Sequence, residues 1–106
     1  MIEQSTRDWL LKIAQEVEDD PTRWTQGEEA RDAGGLAALP WDGTACCWCA
    51  VGFINRSCEY REPYLFGAIG ALRTACNRPL LSRHNDDLKS AAEFVAWFRR
   101  AAELCT

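Results

Sequence analysis

The sequence predicts an all-α fold: a compact single domain spanning residues 1–106, with about four helices. A central buried helix is expected at about 45–56, and a long packed loop at about 20–44. Three observations support this fold class. Apolar residues recur at helical spacing in three stretches. A fourth stretch is apolar on nearly all sides, which is typical of a buried helix. No alternating pattern indicates a pair of strands.

The first helix is predicted at about 6–19. Ser5 is a suitable cap, because an acidic residue, Asp8, follows it three positions later. Pro21 disfavours a helical residue before it and so ends the helix near Asp20. The apolar positions at helical spacing are Leu10, Ile13, Ala14 and Val17.

The stretch 21–44 is predicted to be a long connection, because several glycines and prolines interrupt it. A short helical turn is expected at 27–32. A connection of this length in a small domain is usually functional or packed down on the surface as an Ω-loop. Trp24 and Trp41 lie within it, so at least part of the loop should be anchored on the core.

The second helix, about 45–56, contains the sequence ACCWCAVG at 45–52, with Thr44 as its cap. Nearly every residue from Ala45 to Ile54 is apolar, which predicts a buried, central position. Gly52 inside a helix costs about 1 kcal/mol relative to alanine. A close approach between two helices would account for it.

The clustered cysteines allow three interpretations. On a helix, Cys46 and Cys49 lie on nearly the same face, whereas Cys47 does not. Cys46 and Cys49 could therefore belong to a structural zinc site, which needs two further ligands. A redox pair usually opens a helix that follows a strand, and no strand is predicted here. The favoured interpretation is packing, with Cys46, Cys47 and Cys49 reduced and mostly buried. No metal or other cofactor is expected.

The last two main helices are predicted at 63–76 and about 91–104. Pro63 suits the first turn of the former, and Ser90 with Glu93 forms a capping box for the latter. Between them, the segment LLSRHNDDLK is predicted to be a loop whose Asn and Asp side chains satisfy backbone donors. Three side chains of the last helix should face the core: Phe94, Val95 and Phe98.

The charge of the 106-residue chain is −4, with 47% hydrophobic residues. Residues 1–43 hold ten acidic side chains against four basic ones. This balance argues against direct nucleic-acid binding; it could steer a charged partner, although a solvated acidic face is the simpler explanation. No apolar run is long enough for a membrane span, and charges interrupt any signal-peptide core. A cytoplasmic location without membrane association is expected.

The two connections supply the candidate binding residues: Trp24, Arg31, Asp32, Trp41, His84, Asn85 and Asp86. The loops are expected to meet, with Asn85 or Asp86 hydrogen-bonded to the 24–32 segment. Such a contact would hold the long loop down, and a salt bridge between Arg31 and Asp32 could fix it further. A ligand pocket around the same residues is the alternative. No catalytic residue is assigned, because no established catalytic or nucleotide-binding motif is present.

Taken together, these motifs resemble an uncharacterised family of small bacterial and phage proteins. The resemblance rests on WTQGEEARDAGG at 24–35, CWCAVG at 47–52 and HND at 84–86. The chain departs from the family pattern at Cys46 and at 87–90. The shared positions are Trp24, Thr25, Gly27, Ala30, Arg31, Asp32, Cys47, Trp48, Cys49, Gly52, Asn85 and Asp86. The resemblance supplies no activity, but it implies mobile-element ancestry.

The leading functional hypothesis is therefore a protein–protein interaction module, a phage or mobile-element factor that acts on a host protein. The alternatives are a small-molecule-binding or enzymatic domain around the polar residues above, and a structural zinc domain. The oligomeric state is not predicted.

Overall fold

The computed structural model describes residues 6–58 and 64–105. Within these ranges it contains five α-helices and one two-stranded antiparallel sheet. The fold is therefore mixed α and β, and the prediction of an all-α fold is wrong. The elements are α1 (Thr6–Asp19), β1 (Ala30–Asp32), β2 (Ala45–Trp48), α2 (Ala50–Cys58), α3 (Tyr64–Cys76), α4 (Leu81–Asp87) and α5 (Ala91–Glu103).

The three amphipathic helices agree closely with their predicted ranges. Ser90 caps α5, because its hydroxyl accepts from the Glu93 amide (3.3 Å). Asn77 follows α3 with a φ of 54°, a left-handed conformation that suits the residue after a helix. The predicted roles of Ser5 and Pro63 lie outside the described residues.

The hydrophobic core is centred on the packing of α1 against α5, with α3 beside them. Phe94 of α5 is fully buried, and its ring stacks on Phe98 at 4.3 Å between centroids. Phe53 of α2 approaches the same ring at 5.7 Å. The indole of Trp97 donates to the Leu72 carbonyl (3.0 Å), so its one polar group is satisfied inside the core.

The segment predicted as one helix over 45–56 is a strand followed by a helix. β2 pairs with β1, and α2 begins only at Ala50. Cys49 lies between the two elements: its amide donates to the Glu29 carbonyl (3.1 Å), and its Sγ accepts from the Gly52 amide (3.4 Å). The helix does not extend back to residue 45, because the backbone of residues 45–49 pairs with the preceding segment instead.

Gly52 is required by this same approach of the loop. A Cβ atom built at Gly52 would lie 1.7 Å from the Glu29 carbonyl oxygen. Any side chain at this position would collide with backbone that has little freedom to move. The close approach predicted from the glycine is therefore present, but its partner is a loop rather than a second helix.

The predicted loop 20–44 contains a 3₁₀ turn at Pro21–Arg23 and the short strand β1. A strand at 30–32 replaces the helical turn that was expected at 27–32. Trp24 is the anchor of this segment, because its ring packs 5.9 Å from that of Phe94. Across the described residues, the helices lack the combination of length and apolar character needed to cross a bilayer.

Candidate functional site

Asn85 is a polar residue buried in the interior, with its side chain 0% exposed. Its Oδ1 accepts from the indole nitrogen of Trp24 (2.9 Å) and from the amide of Ala50 (3.1 Å). Its Nδ2 donates to the carbonyl of Thr25 (3.0 Å). One side chain of α4 thereby satisfies the first amide of α2 and holds the start of the long loop.

Gln26 extends this contact to the end of α4. Its Nε2 lies within hydrogen-bond distance of the Asn85, Asp86 and Leu88 carbonyls, at 2.9, 3.1 and 2.7 Å. These carbonyls lie at the C-terminal end of α4, where the Leu88 amide also donates to the Asn85 carbonyl (3.3 Å), so the Gln26 amide acts as a C-terminal cap. Asp86 also accepts from the Gly27 amide (2.9 Å). We call the contacts of Asn85, Asp86 and Gln26 the Asn85 network.

The predicted contact between Asn85 or Asp86 and the 24–32 segment is confirmed by these bonds. Its setting differs from the prediction, because residues 84–86 belong to α4 rather than to a loop. The short helix has no side-chain cap at its N-terminus, so the signal that identifies longer helices is missing. Gln26 was not among the predicted residues, and nothing in its local sequence marks it.

Arg31 fixes the long loop, but through backbone and hydroxyl groups. Its guanidinium donates to the Thr25 hydroxyl (3.2 Å) and to the carbonyls of Gln26 (3.1 Å) and Gly35 (3.0 Å). Asp32 accepts instead from the amides of the following turn, at 2.9 and 3.0 Å. Arg31 and Asp32 therefore do not form the predicted salt bridge with each other. Arg31 instead binds a hydroxyl and two carbonyls, and Asp32 binds two backbone amides.

His84 points away from the Asn85 network. Its ring meets Trp97 edge-on at 4.6 Å between centroids. Among the described side chains, its Nδ1 is buried without a hydrogen-bond partner. Burial lowers the pKa of His84, and the positive charge of Arg78 lowers it further, against the opposing charges of Asp87 and Glu93. The predicted site residues are thus divided: Asn85 and Asp86 contact the long loop, whereas His84 is half-buried against Trp97 of α5.

The three clustered cysteines have three different environments. Cys46 is exposed, Cys47 is half-buried and Cys49 is buried. The prediction that all three are mostly buried is therefore wrong for Cys46. Burial raises the pKa of Cys49, against hydrogen bonds from the Gly52 and Val51 amides that lower it. The helical face that would have paired Cys46 with Cys49 does not exist, because Cys46 lies on a strand.

Residues 36–41 carry the most exposed apolar surface of this region, and we call them the apolar loop. Leu36 is 70% exposed, Leu39 56% and Trp41 51%. Of the two tryptophans expected to anchor at least part of the long loop, Trp41 therefore lies on the surface. The buried tryptophan nearby is Trp48, whose indole donates to the Pro40 carbonyl (2.8 Å).

The backbone of the apolar loop is held against β1. The amide of Ala38 donates to the Ala30 carbonyl (3.0 Å), and that of Asp32 donates to the Leu36 carbonyl (2.8 Å). A cleft of ≈ 330 Å³ beside the loop is lined by Glu28, Glu29 and residues 37–40. The loop thus presents apolar side chains from a fixed backbone, next to two carboxylates.

A sequence profile of a family of unknown function, DUF6197, matches residues 1–104. The chain belongs to this family. Family membership confirms the predicted resemblance to an uncharacterised family; the motif positions on which that resemblance rested stay a prediction. The bacterial or phage origin suggested by the resemblance stays a prediction. Comparison with curated proteins gave no match, and comparison with solved structures gave none either.

Within this DUF6197 chain, the motif positions of the resemblance coincide with the Asn85 network and its surroundings. Trp24, Gly27 and Asn85 join α4 to the loop. Gly52 admits the Glu29 carbonyl. These residues therefore have a structural use in this chain: they join the segment that ends in the apolar loop to α4 and α2.

Proposed function

We propose that this chain is a protein–protein interaction module that binds its partner through the apolar loop. The proposal rests on one observation: Leu36, Leu39 and Trp41 are all exposed within a stretch of six residues. The backbone of this stretch is hydrogen-bonded to β1. Single exposed apolar residues are ordinary, whereas clustered ones mark interaction sites.

The anchoring of the loop favours binding for an entropic reason. A flexible loop loses conformational freedom when it docks, and this loss weakens association. Here the Asn85 network, Arg31 and the bonds to β1 already fix the backbone in the free protein. Burial of an exposed leucine can then contribute about 1.5–3 kcal/mol without a large ordering cost.

The charges around the loop favour a partner with basic side chains. Glu28, Glu29 and Asp42 are exposed near it. The pKa of Asp42 is lowered by hydrogen bonds from the backbone and hydroxyl of Thr44, so this carboxylate stays ionised at neutral pH. We therefore propose an apolar binding segment flanked by Lys or Arg. The ancestry implied by the resemblance would make the partner a host protein.

The test is capture of partners from a bacterial host lysate, followed by native mass spectrometry. The double variant Leu36→Ser/Leu39→Ser should lose the captured partner while its melting temperature changes little, because both side chains are solvent-exposed. Leu80→Ser is the matched control, since Leu80 is 57% exposed but lies outside the loop. Equal capture by the wild type and the double variant would contradict the proposal.

A second candidate function is small-molecule binding, with or without catalysis. It is favoured by a second cleft of ≈ 330 Å³, whose lining includes Asp86, Cys49 and Ser82. Two further carboxylates, Glu28 and Glu29, are shared with the cleft beside the apolar loop, and their charge favours a cationic ligand. Ser82→Trp should fill this cleft and abolish any thermal shift given by small amines. The interaction of the apolar loop with a protein partner should survive that substitution.

A further inference from the structure

A β-bulge places two cysteine side chains side by side. Arg31 pairs with Cys47 and Asp32 with Ala45, so Cys46 is the extra residue of β2. Adjacent residues of a regular strand point to opposite faces. A bulge breaks this alternation and re-aims a side chain. Cys46 and Cys47 can therefore present both thiols on one side of the sheet.

The positions of the sulfur atoms agree with this geometry. The Sγ of Cys46 lies 3.6 Å and the Sγ of Cys47 3.9 Å from the same atom, the carbonyl oxygen of Arg31. Neither thiol is in a disulfide, and Cys46 is exposed to solvent. Cys49, by contrast, is buried at the start of α2 and its sulfur accepts from Gly52.

This pair has no part in the core or in the proposed docking contact. A hydrophobic role would require burial of both side chains, and Cys46 lacks it. The thiols also add little as hydrogen-bond donors, because S–H donates weakly. Two adjacent thiols that converge on one point do suit a different task, the chelation of one thiophilic centre.

We propose that Cys46 and Cys47 form a two-thiolate site for a soft metal ion, with monovalent copper as the ion that it fits. Soft thiolate ligands select Cu(I), and this ion accepts two sulfur ligands. Binding replaces both thiol protons: two neutral thiols and one Cu⁺ give a bis-thiolate complex of charge −1 and two protons released to solvent.

Zinc fits the same pair poorly. A structural zinc site uses four protein ligands. In the part of the chain that the structure describes, no group of three or more His, Cys, Asp or Glu side chains could hold a metal ion. Among the described residues the site therefore offers two thiolates and no third protein ligand, which favours an ion of low coordination number over zinc.

The experiment is an anaerobic titration of the reduced full chain with Cu(I), in competition with a chromophoric Cu(I) chelator. One equivalent of Cu(I) should bind and give thiolate-to-copper charge-transfer absorption. Cys46→Ser and Cys47→Ser should each weaken binding about 100-fold, because the second thiolate binds at the high effective concentration of a linked ligand. Cys76→Ser should bind as the wild type does.

Two further measurements keep the result decisive. Circular dichroism should show that each serine variant is folded, since Cys46 is exposed and Cys47 is only half-buried. Zn²⁺ should compete poorly for the site. Binding that is unchanged in Cys46→Ser or Cys47→Ser would overturn the proposal, as would binding that is lost equally in Cys76→Ser. Failure of the wild type to compete with the chelator would also overturn it.

Discussion

Two regions of this molecule are stabilised by different interactions. The α1–α5 pair is held mainly by apolar burial, with Leu10, Phe94 and Phe98 removed from water completely. The region from residue 20 to residue 49 has little regular structure and is held by hydrogen bonds, many of them to Asn85, Gln26 and Arg31. Apolar contact has no strict direction, whereas a hydrogen bond requires one partner at one distance. The helical pair should therefore be sensitive mainly to the loss of buried apolar volume, and the irregular region mainly to the loss of a hydrogen-bond partner.

The largest effect is expected in the helical pair. Phe98→Ala should reduce the free energy of unfolding by about 3–5 kcal/mol, because it removes a fully buried ring and leaves a cavity. Urea denaturation followed by circular dichroism measures this change. Arg100→Ala is the control on the same helix; its side chain is exposed and the substitution should cost little. Similar losses from the two variants would mean that the core-facing side of α5 is wrongly assigned.

The next largest effect is expected at Asn85. Asn85→Ala leaves the Trp24 indole, the Ala50 amide and the Thr25 carbonyl without their partner. A loss of about 2–4 kcal/mol is expected, since each buried unpaired group costs about 1–3 kcal/mol and part of the site can hydrate. Hydrogen exchange should show faster exchange in segment 24–49, whereas α1 and α5 keep their protection. A uniform increase over all helices would show that the two regions unfold as one unit.

A smaller effect is expected at the rim of the same network. Asp86→Ala removes the acceptor of the Gly27 amide, and Arg31→Ala removes the donor to Thr25, Gln26 and Gly35. Each variant should lose about 1 kcal/mol, because these bonds are partly exposed. Both melting temperature and partner binding should be measured. If binding falls in proportion to the folded fraction, the two residues serve the structure. Lost binding at unchanged stability would assign them to the functional surface.

The smallest effect is expected at Glu16 of α1, whose ion pairs link this helix to Arg23 in the irregular region and to Arg56 of α2. This carboxylate pairs with Arg56 (3.0 Å) and Arg23 (3.0 Å). Burial opposes its ionisation, but the two arginines outweigh burial and lower the pKa of Glu16 below 4.5. Its contribution is therefore present above pH 4.5 and is lost as the pH falls through the lowered pKa.

Glu16→Gln should accordingly remove part of the acid dependence of stability below pH 4.5, by under about 1 kcal/mol. The measurement is the melting temperature of both proteins from pH 3 to 7, with Glu103→Gln as the exposed control. Parallel curves for the wild type and Glu16→Gln would contradict this assignment.

Sequence periodicity predicted the helical pair well. The ranges 6–19 and 91–104 differ from α1 and α5 by at most one residue. The candidate site was predicted only in part: Trp24, Asn85 and Asp86 do meet, but Gln26 was missed, and Trp41 and His84 lie elsewhere. A helix repeats its apolar residues every three or four positions, so a short window contains the whole signal. The bonds of Gln26 and Asn85 join positions about 60 residues apart, and no local window contains them.

The sequence by itself determined where the amphipathic helices lie, that a single asparagine or aspartate would tie the long segment down, and that Gly52 marks a close approach. The tertiary structure decided that residues 45–48 form a strand. Strands of three and four residues are too short to show an alternating pattern, and their pairing depends on backbone that is distant in sequence. That pairing places Cys46 within β2 and Cys49 beyond its end, and its bulge brings the sulfur atoms of Cys46 and Cys47 to the same carbonyl oxygen. The bulge arises from the register of two strands and not from either strand alone.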